Sequence, residues 1–270
     1  GSDGDETRSE ILEHELHKSG SILYLKAIRL GAASQRNQGV EHACNPFILF
    51  ADDDVYLERD CIANLWQAIG EHDNVGGVSA MITNQKYLSM GMVTSAVVQF
   101  LLGKKMQSYA GKVIPPGWGM LPEDREDLPA NVEVEWVNLG ATLYRREALP
   151  IPPFQSHFVG YSLMEDLTLS VLVSKKWKLL NARMARIYHD SQPGDHKKNV
   201  LRLSEMELIN RHYLMRNVLG KSSFLDYIKL FVFELFQVFS GLRSRGGLKR
   251  IGLEFVGKVT AIFKIMMGNS

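Results

Sequence analysis

Two cysteines, Cys44 and Cys61, are all that this chain of 270 residues contains. They are too few and too far apart for a disulfide framework or a zinc knuckle. The pair fits a reducing compartment and reads as plain core. Excess charge is missing as well. With 31 Lys and Arg against 30 Asp and Glu, the net charge is +1, so no global field points to nucleic acid as a partner. No uncharged apolar run reaches transmembrane length. Internal repeats and low-complexity tracts are absent, which excludes solenoids and repeat arrays. What is there, 45% hydrophobic and 23% charged residues, is a globular composition, large enough for one sizeable core or a core with an appendage.

Periodicity orders the elements. The polar start Gly1-Ser2-Asp3-Gly4-Asp5-Glu6-Thr7 leads into an amphipathic helix over residues 7–18, with Ile11, Leu12 and Leu16 on one face. An α/β domain rarely begins on a helix with no strand before it. The expectation is that a first strand and helix are missing, or that Gly1-Ser2 is a tag remnant. Ile22 to Leu25 reads as a strand, and Gly31 to Val40 as a turn entering a helix that ends near Cys44. A strand over 47–51, a helix over 60–69 and a strand over 75–82 follow. This alternation predicts a mostly parallel sheet with helices on both faces. The pattern loosens over 84–129, where 93–102 is helical and Trp118 sits in a Gly/Pro-rich loop. Strands over 132–137 and 140–144, a helix over 163–175 and a strand over 179–188 come next. From Val200 onward only helices are predicted, so a soft boundary near residue 200 divides 1–200 from 201–270.

The run Phe47-Ile48-Leu49-Phe50-Ala51-Asp52-Asp53-Asp54-Val55 holds the sharpest chemistry. A buried strand feeds three adjacent carboxylates, placing them at the carboxyl end, where open α/β sheets keep their ligand crevice. Three crowded acids repel unless a cation neutralises them, and hard oxygen ligands suit Mg²⁺ or Mn²⁺. In an extended segment Asp52 and Asp54 project to one side and Asp53 to the other. The plain alternative is a solvated acidic turn.

Four segments, in order, then carry a resemblance. Ala51-Asp52-Asp53-Asp54 resembles the Asp-x-Asp motif of the nucleotide-sugar-dependent glycosyltransferases of family 2, which have the GT-A fold. Ala33-Ser34-Gln35-Arg36-Asn37-Gln38-Gly39 resembles the family's small-x-x-Arg-Asn-x-Gly segment. Gly140-Ala141-Thr142-Leu143-Tyr144-Arg145-Arg146 resembles its Gly-Ala-x-x-x-x-Arg-Arg block, and Met164-Glu165-Asp166-Leu167 its Glu-Asp motif at a helix start. The resemblance implies an α/β, three-layer GT-A domain with a C-terminal helical region. It implies a nucleotide diphosphate sugar as donor and Mg²⁺ or Mn²⁺ as cofactor. Asp54 would hold the cation, with Asp52 assisting or holding a ribose hydroxyl, and Asp53 remains a candidate on the nucleotide side. Gly1-Ser2-Asp3 resembles the tail of the family's base-reading loop, which makes Asp3 a nucleotide candidate.

Arg36 is placed on the nucleotide, because a guanidinium suits planar acceptors; a surface arginine is the plainer reading. Asp166 is the candidate base that takes the acceptor's proton, and Glu165 orients it or binds the acceptor. Two first-turn acids that favour the helix dipole are the alternative. His189, after the strand Ala185-Arg186-Ile187-Tyr188, is a third metal-ligand candidate, with His196 as runner-up. Lys197, Lys198 and Arg202 either help neutralise the diphosphate or form a solvated basic loop. Trp118 is a candidate for stacking on a sugar ring. Trp136 belongs to the core or to the wall of the substrate pocket.

In the tail, Arg211-His212-Tyr213-Leu214-Met215-Arg216-Asn217 resembles a segment of rhamnosyltransferase-like members of family 2. The aromatic stretch 224–239 and the basic, aliphatic stretch 248–267 suit helices lying in a membrane interface. Packing on the catalytic domain or on a second subunit, as a homo-oligomer, is the alternative. The expected activity is inverting transfer of a hexosyl or deoxyhexosyl group to a hydroxyl of a glycan or lipid-linked acceptor, in cell-envelope polysaccharide synthesis. The expected place is the cytoplasmic, inner face of the membrane. The rivals are a metal-dependent nucleotidyltransferase, whose usual Gly-rich basic loop this chain does not show, and a non-catalytic nucleotide-binding partner, against which the intact acids count.

Overall fold

The alternation of apolar strands with helices that begins after residue 30 closes into one sheet with helices on both faces. The structure, a computed structural model, describes residues 6–191, 198–240 and 247–268. Helices α1 (Glu6–Glu13) and α2 (Glu15–Lys18) come first, then α3 (Ala32–His42). Strands β1 (Phe47–Ala51) and β2 (Val55–Leu57) flank the acidic triplet. Next come α4 (Cys61–Gly70), β3 (Val75–Ile82), α5 (Met92–Leu102), the ribbon β4 (Val113–Ile114) with β5 (Trp118–Gly119), β6 (Asn131–Val134) and β7 (Ala141–Arg145). Helix α6 (Glu165–Ser174) and strand β8 (Lys178–His189) complete the sheet region. The remainder is helical: α7 (Val200–Tyr213), a π-helical turn over Leu214–Val218, α8 (Phe224–Ser240) and α9 (Gly247–Met266).

The sheet runs β1-β7-β3-β8-β2, with β6 also on β8. It is mixed rather than mostly parallel: β3 pairs β8 parallel, and the other pairings are antiparallel. Strands β1, β3 and β8 do run in one direction, as strand–helix–strand alternation requires. Strand β7 is inserted against them, between β1 and β3. A strand buried on both faces reads as a continuous apolar run whichever way it points, so the insertion leaves no mark in the pattern. Strand β8 changes partners along its length: β6 pairs with Leu179 to Ala182, and β2 with Ile187 to His189. A register shift after Ala80 accommodates the change.

The expected strand at 22–25 does not form; Leu23, Ile28 and Leu30 are exposed. Among the described residues no strand lies alongside to complete a ladder. The Gln38 side chain holds this segment instead, accepting the Ile28 N–H at 3.1 Å and donating to the Lys26 carbonyl at 2.9 Å.

One face of the sheet packs Ile48, Phe50 and Tyr144 on Ala33 of α3 and Leu169 of α6. The other packs Val78, Leu143 and Ile187 on Leu65 and Ile69 of α4. That makes three layers. In the tail, α8 covers the β4–β5 ribbon and α5 through Phe233. Helix α9 lies so close to α7 that a side chain at Gly257 would meet the Leu201 carbonyl at 2.4 Å.

Candidate active site

Strand pairing assembles the first half of the site. The chain leaves β1 at Ala51, turns through the triplet and pairs β2 antiparallel with the end of β8, setting Val55 opposite His189. The Asp190 N–H donates to the Asp54 carbonyl at 2.8 Å. Asp54 Oδ1 then lies 3.1 Å from His189 Nε2. One ligand atom each from Asp52, Asp54 and His189 falls within 4.8 Å of the others. Asp53 is exposed. His189 is held from behind: the Gln85 amide lies 3.2 Å from Nδ1. Asn84 also bonds the His189 backbone in both directions, accepting its N–H at 3.1 Å and donating to its carbonyl at 2.8 Å. An imidazole engaged at Nδ1 presents Nε2. Two carboxylates with one imidazole are a donor set that fits a divalent cation, and the nitrogen suits Mn²⁺ better than Mg²⁺.

The second half is built by α3 and the loop before α6. Gly31 has φ 124°, and a side chain there would meet Gly160 N at 2.9 Å. With none, the Ala32 N–H donates to the Gly160 carbonyl at 3.2 Å. Asn37 bonds the Phe154 backbone in both directions, at 2.8 and 2.9 Å. From α7, Asn210 braces the same loop, donating to the Leu163 carbonyl at 2.7 Å. The loop enters α6 through Ser162 and Met164, both left-handed at φ 56° and 72°. Non-glycine residues seldom adopt that backbone, and such strain gathers at functional sites. The result faces Arg36 with two carboxylates. Its Nη1 donates to Glu165 Oε1 and its Nη2 to Asp52 Oδ1, each at 2.6 Å. Arg36 therefore joins the acidic triplet to the Glu-Asp pair.

Charge is unbalanced here. Burial pushes Glu165 up to about 8, and repulsion by Asp166 adds to it, against the pull of Arg36. Asp166 is also raised, first by burial, with the Leu167 N–H and Arg36 working the other way. That N–H donates to Asp166 Oδ1 at 2.6 Å. Burial tends to lower Arg36, but Asp52 and Glu165 outweigh it and raise it. Tyr161 is raised by burial and then by Glu165, Asp54, Asp166 and Asp52, so its ring stands in the field of all four acids. It also lines a cavity of about 540 Å³, together with Leu163, Ser204, Glu207, Gln237 and Lys258.

Other expected residues are placed differently. Asp3, His196 and Lys197 lie outside the described residues. Arg202 is exposed on the first turn of α7. Trp118 is not a free sugar platform; it packs on Phe233 and Phe236 of α8, with ring centroids 5.3 and 6.0 Å away. Trp136 packs beside Leu167 and Leu214, and its indole N–H donates to the Met120 carbonyl at 2.6 Å. Arg145 and Arg146 secure helix ends: Arg145 donates to the Ile69 carbonyl of α4, and Arg146 to the Val40 and Ala43 carbonyls of α3. Reading the sequence missed Asn84, Gln85 and Tyr161. Only the end of a strand beside the triplet's partner strand could have pointed to the first two.

Residues 1–128 match the model of glycosyl transferase family 2. Among solved structures, the chain resembles the mannosyltransferase PcManGT from Pyrobaculum calidifontis in complex with GDP-Man and Mn²⁺. That likeness has a TM-score of 0.52 at 14% identity and covers 98% of this chain and 69% of that one. The chain also resembles GalNAc-T7 with UDP, GalNAc and Mn²⁺, at a TM-score of 0.52 and 13% identity, covering 88% of this chain and 50% of that one. A comparison with curated proteins finds no significant match. At these identities the structural likeness is one of fold, and it agrees with the family match over the strands and helices that carry the triplet. Residues 1–128 thus resemble glycosyl transferase family 2, and the fold is that of the GT-A glycosyltransferases.

Proposed function

We propose that this glycosyltransferase moves a sugar, with inversion, from a nucleotide diphosphate sugar to a hydroxyl of a glycan or lipid-linked acceptor. The observation that carries the reading is the Arg36 bridge, which links Asp52 to Glu165 at 2.6 Å on either side. A site for diphosphate departure and a site for proton removal must lie side by side, and one guanidinium ties them. Asp52, Asp54 and His189 would hold Mg²⁺ or Mn²⁺. When bound, the cation supplies charge that stabilises the departing diphosphate. Asp166 accepts the acceptor's proton; its raised pKa makes it a stronger base while one oxygen stays on the Leu167 N–H. Glu165 keeps Arg36 in place. Tyr161 forms the wall past which the acceptor hydroxyl approaches, beside the cavity it lines.

The test follows nucleoside diphosphate release from a panel of nucleotide sugars with Mn²⁺ or Mg²⁺. Native protein should release nucleoside diphosphate; a nucleotidyltransferase would leave the nucleotide sugar intact until pyrophosphate is added, and would then return nucleoside triphosphate and sugar phosphate. Asp54→Asn and Asp52→Asn should lose cation binding, read by titration calorimetry, together with release. Full binding and release in both variants would sink the assignment.

A further inference from the structure

Helix α9 is built inside out. Gly257, Lys258 and Ala261 form its buried face. The charges turned inward are paired: Lys258 with Glu207 and Glu234 at 2.8 and 2.6 Å, and Lys264 with Glu205. Its water-facing side carries Leu248, Phe255, Val256, Phe263 and Met266, exposed by between 49% (Val256) and 81% (Leu248). Helix α8 repeats the pattern with Phe224, Ile228, Phe231 and Phe239 outward. A surface helix ordinarily does the reverse. Between the two helices runs an apolar groove of about 220 Å³, walled by Phe231 and Leu235 of α8 and by Phe255, Val259 and Ile262 of α9. An apolar surface this continuous marks a contact. No described helix is long and apolar enough to cross a membrane.

Charge decides what covers it. Every acid on the two helices is turned in or paired: Asp226 bonds Ser223, Glu234 is buried, and Glu254 pairs with Arg250 at 2.8 Å. Arg250 is taken up by Glu254, so the exposed charge left over is basic, Lys249. Lys249 stands in line with Val256 and Phe263 at seven-residue steps, on the apolar side of the helix. A second copy of this face would bring this cation only another like it. A lipid surface with anionic headgroups gives it a partner, and its acyl region takes the rings. We infer that α8 and α9 lie in the plane of an anionic bilayer surface, with their outward aromatic residues seated at the acyl boundary and Lys249 among the headgroups. This goes beyond the proposed reaction, and it stands or falls without it.

The experiment is flotation of the full chain with vesicles of phosphatidylcholine alone or mixed with phosphatidylglycerol. The chain should rise with the mixed vesicles and far less with the neutral ones. Phe231→Ser, Phe255→Ser and Phe263→Ser combined should lower the bound fraction about tenfold or more, since each removes a ring from the buried contact. All three positions face water, so the melting midpoint should hold. If the triple variant does not fold, Lys249→Glu carries the test, and it should weaken binding to the mixed vesicles alone. Three results overturn the proposal: native chain that stays down with both vesicles, equal flotation with both, or ring or charge variants that float like the native chain. A native dimer in solution that the ring variants split would assign the face to a second copy and overturn it too.

Discussion

Two arginines, Arg36 and Arg211, each bridge a pair of carboxylates, and the two clusters behave oppositely. Arg211 is 3% exposed and bonds Glu234 at 2.8 Å and Glu207 at 2.5 Å. Lys258 closes the ring onto the same two acids. Two cations meet two anions, the guanidinium also lies 4.4 Å from the Phe233 ring centre, and three helices are locked together. Around Arg36 one guanidinium faces Asp52 and Glu165, with Asp54 and Asp166 close by. Its surplus is negative. Burial tends to raise Glu207 as well, yet Arg211 and Lys258 outweigh it and Glu207 ends lowered; Glu165 and Asp166 end raised. The same ingredients make a strut when balanced and, on the function proposed above, a reactive site when not, because unmatched carboxylates favour a cation or a proton.

The largest expected effect breaks the unbalanced cluster. Asp166→Asn should lower the transfer rate by about 10²–10⁴-fold, the usual worth of a positioned base. Its melting midpoint and cation affinity should stay near native, since the change removes surplus negative charge rather than a strut. Native transfer by this variant would remove Asp166 from the chemistry. Next comes the balanced ring. Arg211→Met should cost about 3 kcal/mol by urea denaturation, because Lys258 alone is left to answer the buried Glu234 and the part-buried Glu207. Changing the remaining three members to Gln, Leu and Met in the same chain should recover most of that loss, as buried ion pairs exchanged whole for apolar groups often do. A single Arg211→Met that melts like native protein would show the ring to be no strut.

The acids of the unbalanced cluster stand out in the sequence, the pairings of both clusters do not, and the unread part has a physical cause. The carboxylates of the triplet stand out because an apolar strand leads into them; strand period expects Asp52 and Asp54 on one side, and in the structure a turn, not a strand, brings them together. The Arg36 bridge is not legible, because it depends on Gly31 meeting Gly160 across 129 positions of chain. Gln85 and Asn84 escape for the same reason: nothing local marks a loop that closes on the end of a distant strand. Helix α9 misleads in another way. Its outward face is apolar and its inward face charged, so periodicity finds the two faces but cannot tell which of them packs on the domain. The irregular stretch 21–30 shows that an apolar run needs a neighbour before it becomes a strand.

A smaller effect sharpens the role of Arg36. Lysine keeps the charge but offers a point cation in place of a fork. Arg36→Lys should hold either Asp52 or Glu165, not both, and displace the Glu-Asp side from the cation side. A loss of up to about 10²-fold in turnover is expected for a displacement of that order. Cation affinity should change far less, and that split separates a bridge from a ligand. Loss of cation binding in step with turnover would make Arg36 part of the cation site itself.

The smallest effect, a slope, tests the charge argument most directly. Glu165 titrates at about 8 in the folded chain against an ordinary value of 4.5, mainly through burial and then through Asp166. The folded chain therefore binds this proton more tightly than the unfolded chain does. Between those two values the group lowers stability as pH rises, and the loss levels off above about 8. Glu207 is shifted the other way, so its contribution is present above its ordinary 4.5 and fades as pH falls below it. Urea midpoints taken across pH should thus flatten above 4.5 in Glu165→Gln and below 4.5 in Glu207→Gln. Asp166 is raised beside Glu165, so the first slope should shrink rather than vanish. If both variants flatten the same side of the curve, the two arginine clusters do not differ in the sign of their charge balance, and the contrast between strut and reactive site fails.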